Sequence, residues 1–405
     1  MQTKLPEAIV ATTKGRRAEE ILRSCVHCGF CNATCPTYEL LGDELDGPRG
    51  RIYLIKEMLE AQKVESVTVT HLDRCLTCRA CETTCPSGVE YSQLLEIARD
   101  YVTSNYRRDL LDRIKRLWLI HTVPYKRRFR RWAQLGRAVR WFLPGRLREI
   151  LPVIPTGAAL QATPRVSSSV AASSVLLLNG CVQQVTTPQV NVALRELLAA
   201  RSIAVVELAE EGCCGALELH LGKEPGALAT MRNLLDNLAP WLEEVDAVIS
   251  TASGCGITLK DYPRLLKDDA THGKLAQQLG DKLLDVGEYL LSLDLSWRKQ
   301  DEVLAVALHQ PCTLQHGQKL GDEARQLLQN AGYDLVAVRD EHSCCGSAGT
   351  YSLLQGKLSS QLRDRKISCL ESGQPDVIAT SNVGCHTHLA VAASVPVVHW
   401  IELLR

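Results

Sequence analysis

Two cysteine repeats of different period constrain this chain more than any other feature. In the first, Cys25, Cys28, Cys31 and the pair Cys35-Pro36 recur at an offset of 50 as Cys75, Cys78, Cys81 and Cys85-Pro86, with every internal spacing kept. In the second, Cys181, Cys213, Cys214 and Cys255 recur as Cys312, Cys344, Cys345 and Cys385, at offsets of 131, 131, 131 and 130. Of the 17 cysteines only Cys369 stands outside both sets. Self-similarity at a fixed period means that each half of the chain is one unit built twice.

So many thiols belong either to an oxidised secreted protein or to a reduced one that ligates metal. Residues 1–20 carry Lys14, Arg16 and Arg17 and no apolar h-region, so no secretory signal is expected and the cysteines read as ligands in a reducing, cytoplasmic setting. No stretch approaches the roughly 18 apolar residues needed to cross a bilayer, which leaves a peripheral contact as the expected mode of membrane association. Lys plus Arg and Asp plus Glu number 46 each, so global charge points neither to nucleic acid nor to an acidic tail. At 405 residues the chain has room for two or three cores.

Periodicity then assigns structure to each repeat. "RGRIYLIKEMLEAQ" (Arg49 to Gln62) and "SQLLEIARDYV" (Ser92 to Val102) place apolar residues three and four apart, so the first half is α-helical. Residues 151–174 are rich in Pro, Ser and Ala and read as a linker. From Val175 onward, short apolar runs such as "VLLLNGC" and "DAVISTASGC", repeated as "LAVALHQPC" and "DVIATSNVGC", alternate with helical stretches. That alternation predicts two parallel sheets covered by helices. Each cysteine of the long repeat comes just after a strand, so the four of each copy should converge on the carboxyl edge of its sheet. The expected division is 1–110, 111–150, 151–174, 175–300 and 301–405.

The runs "CVHCGFCNATCP" and "CLTCRACETTCP" resemble the C-x2-C-x2-C-x3-C-P run of bacterial two-cluster ferredoxins, whose fourth cysteine ligates the other cluster. Three thiolates two residues apart wrap one loop around a cluster, and proline after the fourth fixes the start of the next segment. The resemblance implies that Cys25, Cys28, Cys31 and Cys85 hold one 4Fe-4S cluster, and Cys75, Cys78, Cys81 and Cys35 the other. Zinc is the competing occupant, but its sites take two cysteine pairs and have little use for a third cysteine and C-P. His27 and Arg79 stand within the loops, where charges tune cluster potential.

Beyond the cysteines, "TYELLGDELDGPRGRIYLIKE", "TASGCG", "PCTLQHGQKL", "CCGSAGTY" and "HWIE" are similar to the iron-sulfur subunits of glycolate oxidase. The resemblance implies an α-helical ferredoxin domain over 1–110 and two tandem α/β cysteine-rich "CCG" domains, shared with heterodisulfide reductase, lactate-utilisation and anaerobic glycerol-3-phosphate dehydrogenase proteins. It implies a subunit with no catalytic residue of its own, which relays electrons from flavin partners oxidising glycolate to glyoxylate toward a quinone or other respiratory acceptor. FAD would sit on the partners: the chain carries no G-x-G-x-x-G fingerprint, and something must split a hydride into single electrons. The ferredoxin half does not distinguish glycolate from D-lactate, glycerol 3-phosphate or a disulfide as the electron source.

Relatives whose CCG domains bind an unusual cluster end in C-x-x-C, whereas here Ala252 and Asn382 replace the first cysteine of that pair. The remaining quartets, Cys181, Cys213, Cys214, Cys255 and Cys312, Cys344, Cys345, Cys385, are candidates for a further cluster, for another metal, or for buried thiols. The second copy also gathers His309, His316, His342, His386 and His388 near its cysteines against His220 alone in the first, as ligands, proton relays to a quinone or surface residues. Finally, residues 101–150 hold 14 Lys or Arg against 3 Asp or Glu, and three of the six tryptophans. That is the composition of a helix lying on an anionic membrane, with a docking face for a partner or an intramolecular contact as competing readings. Nucleic-acid binding finds no recognised module beside the basic stretch.

Overall fold

The computed structural model describes residues 1–139, 173–293 and 304–405. The expected linker, apart from Ser173 and Ser174, and the end of the basic stretch beyond 139 lie outside the described residues, as does the boundary expected at 300.

The amino-terminal part is helical, as its 3.6-residue periodicity dictates. Helix α1 (Thr13–Ser24) starts where the Thr12 hydroxyl accepts the Gly15 N–H at 2.9 Å, and it buries Ala18, Ile21 and Leu22. Helix α2 (Pro48–Ala61) opens on a proline at its first turn and ends at Gln62 in the left-handed conformation. Helix α3 (Tyr91–Asn105) turns Leu94, Leu95, Ala98 and Val102 inward. The three stripes close on one core that also holds Cys25, Cys75 and Cys81. Each leucine or isoleucine fully buried there contributes about 1.5–3 kcal/mol, so the cysteine loops hang from a rigid frame.

Helices α4 (Leu110–Thr122) and α5 (Lys126–Val139) carry the basic stretch away from that core. Arg108 and Arg116 clamp Asp73 and fix α4 at its root, and Leu119 and Ile120 are buried. Leu110, Leu111, Ile114, Trp132 and Leu135, by contrast, are about half exposed or more. Trp118 meets Trp132 edge to face at 5.6 Å and holds the two helices together.

The rest is two parallel four-stranded sheets of identical order. The first comprises β1 (Ser173–Leu178), β2 (Ile203–Val206), β3 (Ala247–Ser250) and β4 (Leu283–Asp285), ordered β2-β1-β3-β4. The second comprises β5 (Ala305–His309), β6 (Asp334–Leu335), β7 (Val377–Thr380) and β8 (Val397–His399), ordered β6-β5-β7-β8. Register equates the copies residue by residue: Leu178 pairs with Ser250, and His309 with Thr380.

Alternation along the strands builds two layers. Val175, Leu177, Val306 and Leu308 face one core common to both sheets, closed by Trp400, Ile401 and Leu404 from the carboxyl end. Leu176 and Leu178 face the opposite way, onto α7 (Glu224–Leu242) through Leu234, Leu235 and Leu238. In the second copy Ala307 and Ile378 face Ile367 and Leu370 of α10 (Gly356–Leu370). Between the copies, α6 (Gln189–Ala199) packs on the turn Trp400–Leu404, and α8 (Val286–Ser292) on α9 (Glu323–Asn330), which are equivalent pairs exchanged by an approximate two-fold. Strands β4 and β8 escape a reading by apolar runs because each is three residues long.

Candidate functional site

The two ferredoxin-like loops have the same backbone. His27 and Gly29 in the first, and Thr77 and Arg79 in the second, have φ of 60°, 86°, 56° and 61°. Left-handed backbone at a non-glycine residue costs on the order of 1 kcal/mol, so three of these four positions hold strain at the site. Only Gly29 could have been suspected from sequence. A Cβ there would meet Arg49 Nη1 at 2.3 Å, whereas at the equivalent place Arg79 sends its side chain to an ion pair with Asp261. These turns bring amides toward sulfur: the Thr77 N–H donates to Cys75 Sγ at 3.5 Å. The Thr34 and Thr84 hydroxyls, one repeat apart, meet at 3.1 Å and tie the two motifs together.

Two cavities lie between the loops. One is lined by Cys35, Cys75, Cys78 and Cys81 with Arg51 and Tyr91, and the other by Cys25, Cys28, Cys31 and Cys85, with Cys81 on the shared wall. Each thus takes three cysteines from one motif and the fourth from the other. The first cavity is lined by four sulfurs with no carboxylate or imidazole, a donor set suited to an all-thiolate cluster. Burial, with Cys25 and Cys85 beside it, pushes the Cys31 thiol up to about 11, and burial raises Cys78 and Cys81 well above the ordinary thiol range. Such groups stay protonated until a cation displaces the protons.

The two cavities differ in exposure. Cys28 is exposed, and Val26 and Phe30 beside it are 67 % and 63 % exposed, so one cavity reaches the surface through an apolar rim. Behind the other stands Arg51, 1 % exposed, donating to the His71 carbonyl at 2.8 Å and to the Thr37 hydroxyl at 3.0 Å, with Nη1 3.8 Å from Cys35 Sγ. Its charge opposes that of a thiolate set. Sequence reasoning singled out His27 and Arg79 and missed Arg51, which lies within an amphipathic helix and carries no local signal.

In each cysteine-rich copy the quartet meets at the carboxyl edge, where the strand order reverses. Cys181 Sγ lies 3.7 Å from Cys213 Sγ, and contact runs on through Cys214 to Cys255. The second copy forms the same chain from Cys312 through Cys344 and Cys345 to Cys385. Around the first set, Glu211 accepts the Asn179 and Gly180 amides, and burial lifts its carboxyl to about 7. Around the second, Asn382 donates to Cys385 Sγ at 3.5 Å, filling in polar terms the place of the missing cysteine; Ala252 in the first copy has no side-chain donor.

The histidines separate. His309 brings a ring nitrogen within 4.8 Å of the sulfurs of Cys345 and Cys385, all three residues being buried. His316 meets Thr83 at 3.2 Å, His388 meets Ser359 at 3.1 Å, and His342 is exposed beside Cys344 on a surface cavity. Burial lowers His386. Burial, then Arg99 and Arg79, holds His220 down to about 4 at the contact with the helical part.

The helical part spans both copies through Arg264 with Glu96 at 3.1 Å and Arg365 with Glu39 at 2.9 Å. Most telling, Cys78 and Leu76 share one apolar cluster with Cys312, Cys344 and Tyr351. The inner cavity therefore abuts the cysteine edge of the second copy.

Helical cysteine loops lining paired cavities, set against two cysteine-edged parallel sheets, define an iron-sulfur electron-transfer protein. A 4Fe-4S dicluster domain matches residues 21–89, and a cysteine-rich domain matches 175–260 and again 306–390. The chain is 47 % identical to the glycolate oxidase iron-sulfur subunit of Escherichia coli (strain K12), over 100 % of this chain and 98 % of that one. It is 33 % identical to the probable glycolate oxidase iron-sulfur subunit of Bacillus subtilis (strain 168), over 96 % and 95 %. The chain belongs to the glycolate oxidase iron-sulfur subunit family. A crystal structure of a hypothetical protein from Helicobacter pylori shares the fold, with a TM-score of 0.53 at 9 % identity over 97 % of this chain and 72 % of that one.

Proposed function

We propose that this chain relays electrons in a glycolate dehydrogenase complex: a flavin on a partner subunit takes two electrons and a proton as hydride from glycolate, a second proton is released, and glyoxylate forms. The electrons then leave singly through this subunit toward a quinone. The observation that carries the reading is the grouping of eight cysteines into two cavities that share a wall. On it, Cys25, Cys28, Cys31 and Cys85 hold one 4Fe-4S cluster, and Cys75, Cys78, Cys81 and Cys35 the other. When bound, each cluster takes up and gives back one electron at a time. The protein's own contribution is positioning and charge. The threonine pair keeps the loops in register, Arg51 offsets thiolate charge on the inner side, and the apolar rim at Val26 and Phe30 offers a flavin subunit a place to dock near Cys28.

In this division residues 1–110 form the relay, 111–150 a surface for docking, 151–174 a linker, and 175–300 and 301–405 the two cysteine-rich copies. Exposed leucines and tryptophans amid arginines on α4 and α5 suit the cytoplasmic face of an anionic membrane, which would bring the relay to a lipid-soluble acceptor. No helix among the described residues is long and apolar enough to cross one.

The ligand scheme is tested with Cys85→Ser in the anaerobically prepared complex, followed by alkylation and mass spectrometry. Labelling should rise on Cys25, Cys28 and Cys31, while Cys75, Cys78 and Cys81 stay protected. Glycolate should still bleach the partner flavin, but reduction of the acceptor should fail. Labelling that rises on Cys75, Cys78 and Cys81 instead would refute the crossed assignment. For the surface, flotation with anionic liposomes should be abolished when Arg127, Arg128, Arg130 and Arg131 are all changed to Glu; equal flotation of both proteins rules out the membrane contact.

A further inference from the structure

The copies differ at one buried position in a way that packing does not require. Strand register places His309 where the first copy has Leu178. Leu178 lies in the apolar layer with Cys213 and Cys214, so an aliphatic side chain fills this place without difficulty. His309 is 1 % exposed, and neither ring nitrogen has a hydrogen-bond partner among the described residues. Burying an imidazole with both nitrogens unsatisfied is unfavourable, and packing offers no return for it. Alternation along β5 turns the ring to the face of Ala307, the layer of Cys345 and Cys385, and the donor atoms of all three residues lie within 4.8 Å of one another.

We propose that the second cysteine-rich copy holds a single zinc or ferrous ion on His309, Cys345 and Cys385. Ligands on one tetrahedral ion with bonds of about 2.0–2.3 Å stand close together in this way, whereas a cubane holds its thiolates at outer corners, farther apart. Nitrogen with sulfur is the donor set of borderline-soft first-row ions. Two thiol protons leave as the ion binds, so a divalent ion, two thiolates and a neutral imidazole sum to zero charge. The quartet then divides. Cys345 and Cys385 face inward to the ion, while Cys312 and Cys344 pack outward against Cys78, which places the ion behind the sulfurs nearest the relay. Lys366, 1 % exposed and hydrogen-bonded to the carbonyls of Asp340 and Glu341 at 3.1 and 2.9 Å, supplies positive charge near the quartet. The first copy has Leu235 there. The site stands independently of which substrate feeds the relay.

The test is metal and acid-labile sulfide analysis of the full chain, prepared anaerobically, as wild type, His309→Leu and His309→Cys. Taking the first copy's residue, His309→Leu should lose about one equivalent of zinc or iron with sulfide unchanged, and the metal lost names the ion. His309→Cys should retain it. X-ray absorption at that metal's edge should show one fewer nitrogen and one more sulfur scatterer in His309→Cys than in the wild type, a comparison that holds even if the leucine variant folds poorly. A full metal complement in His309→Leu, or iron lost together with sulfide, would overturn the proposal.

Discussion

The two cysteine-rich copies have the same strand order and four cysteines at matched places, yet they surround sulfur differently. In the first, the quartet sits beside a buried carboxyl, Glu211, and the short helix Gln183–Thr186 that follows Cys181 packs against the basic helix α5. In the second, it sits with an imidazole, a lysine and an asparagine, and it touches Cys78 of the inner cavity. Duplication preserved the scaffold that brings four strand ends together, while the residues facing the edge diverged. A shared fold here fixes where chemistry can occur, and the neighbours decide which chemistry.

The largest effect should separate the copies by electron flow. Cys312→Ser with Cys344→Ser should slow acceptor reduction by at least about tenfold with partner flavin reduction intact, whereas Cys181→Ser with Cys213→Ser should change it by less than about twofold. Equal losses would mean that proximity to Cys78 confers no privilege. Next comes packing between the copies. Gly317 lies against Ile257 so closely that a Cβ would meet Ile257 Cδ1 at 2.0 Å, whereas its counterpart in the first copy is the buried Thr186. Gly317→Ala should therefore cost about 1–3 kcal/mol in denaturant unfolding, and a neutral result would show that the contact between copies yields freely.

The smallest effect is one of pH. Asp285 and His399 occupy equivalent caps, each in a capping box with Glu288 or Glu402, but they titrate in opposite senses. Burial raises Asp285 to about 7. The native state then holds a proton that the unfolded chain has released, and stability falls as pH climbs from about 4 to 7. Burial lowers His399 to about 3, so the unfolded chain binds the extra proton and stability falls as pH drops from about 6.5 toward 3. Asp285→Asn should remove the first slope and His399→Asn the second, each at most about 1.4 kcal/mol per pH unit. Urea titrations across that range check both, and an unchanged slope in either variant would remove its residue from the account.

Much of this was legible in the sequence because it is periodic. Helical spacing placed α2 and α3, and the apolar runs placed β1, β3, β5 and β7 and with them the sheet edge of each quartet. What escaped is non-local or conformational. Strands β4 and β8 are too short to show a pattern. Arg51 reaches Cys35 only because helix α2 packs on the second motif. The left-handed turns at His27, Thr77 and Arg79 fall on residues that ordinarily avoid them. His309 was visible as one histidine among five, and only the register of β5 against β7 distinguishes it from the rest.

Trp400, Ile401 and Leu404 complete the layer that also holds Val175 and Leu177, and Arg405 reaches back to Glu196 at 2.7 Å. The earlier sheet, covered on this face by α6 and α8, therefore gains its last apolar cover only once residues 400–404 have been made. Until then part of that layer stays uncovered while the second copy is being made. Polar substitutions at Trp400, Ile401 and Leu404 would thus damage the copy translated first.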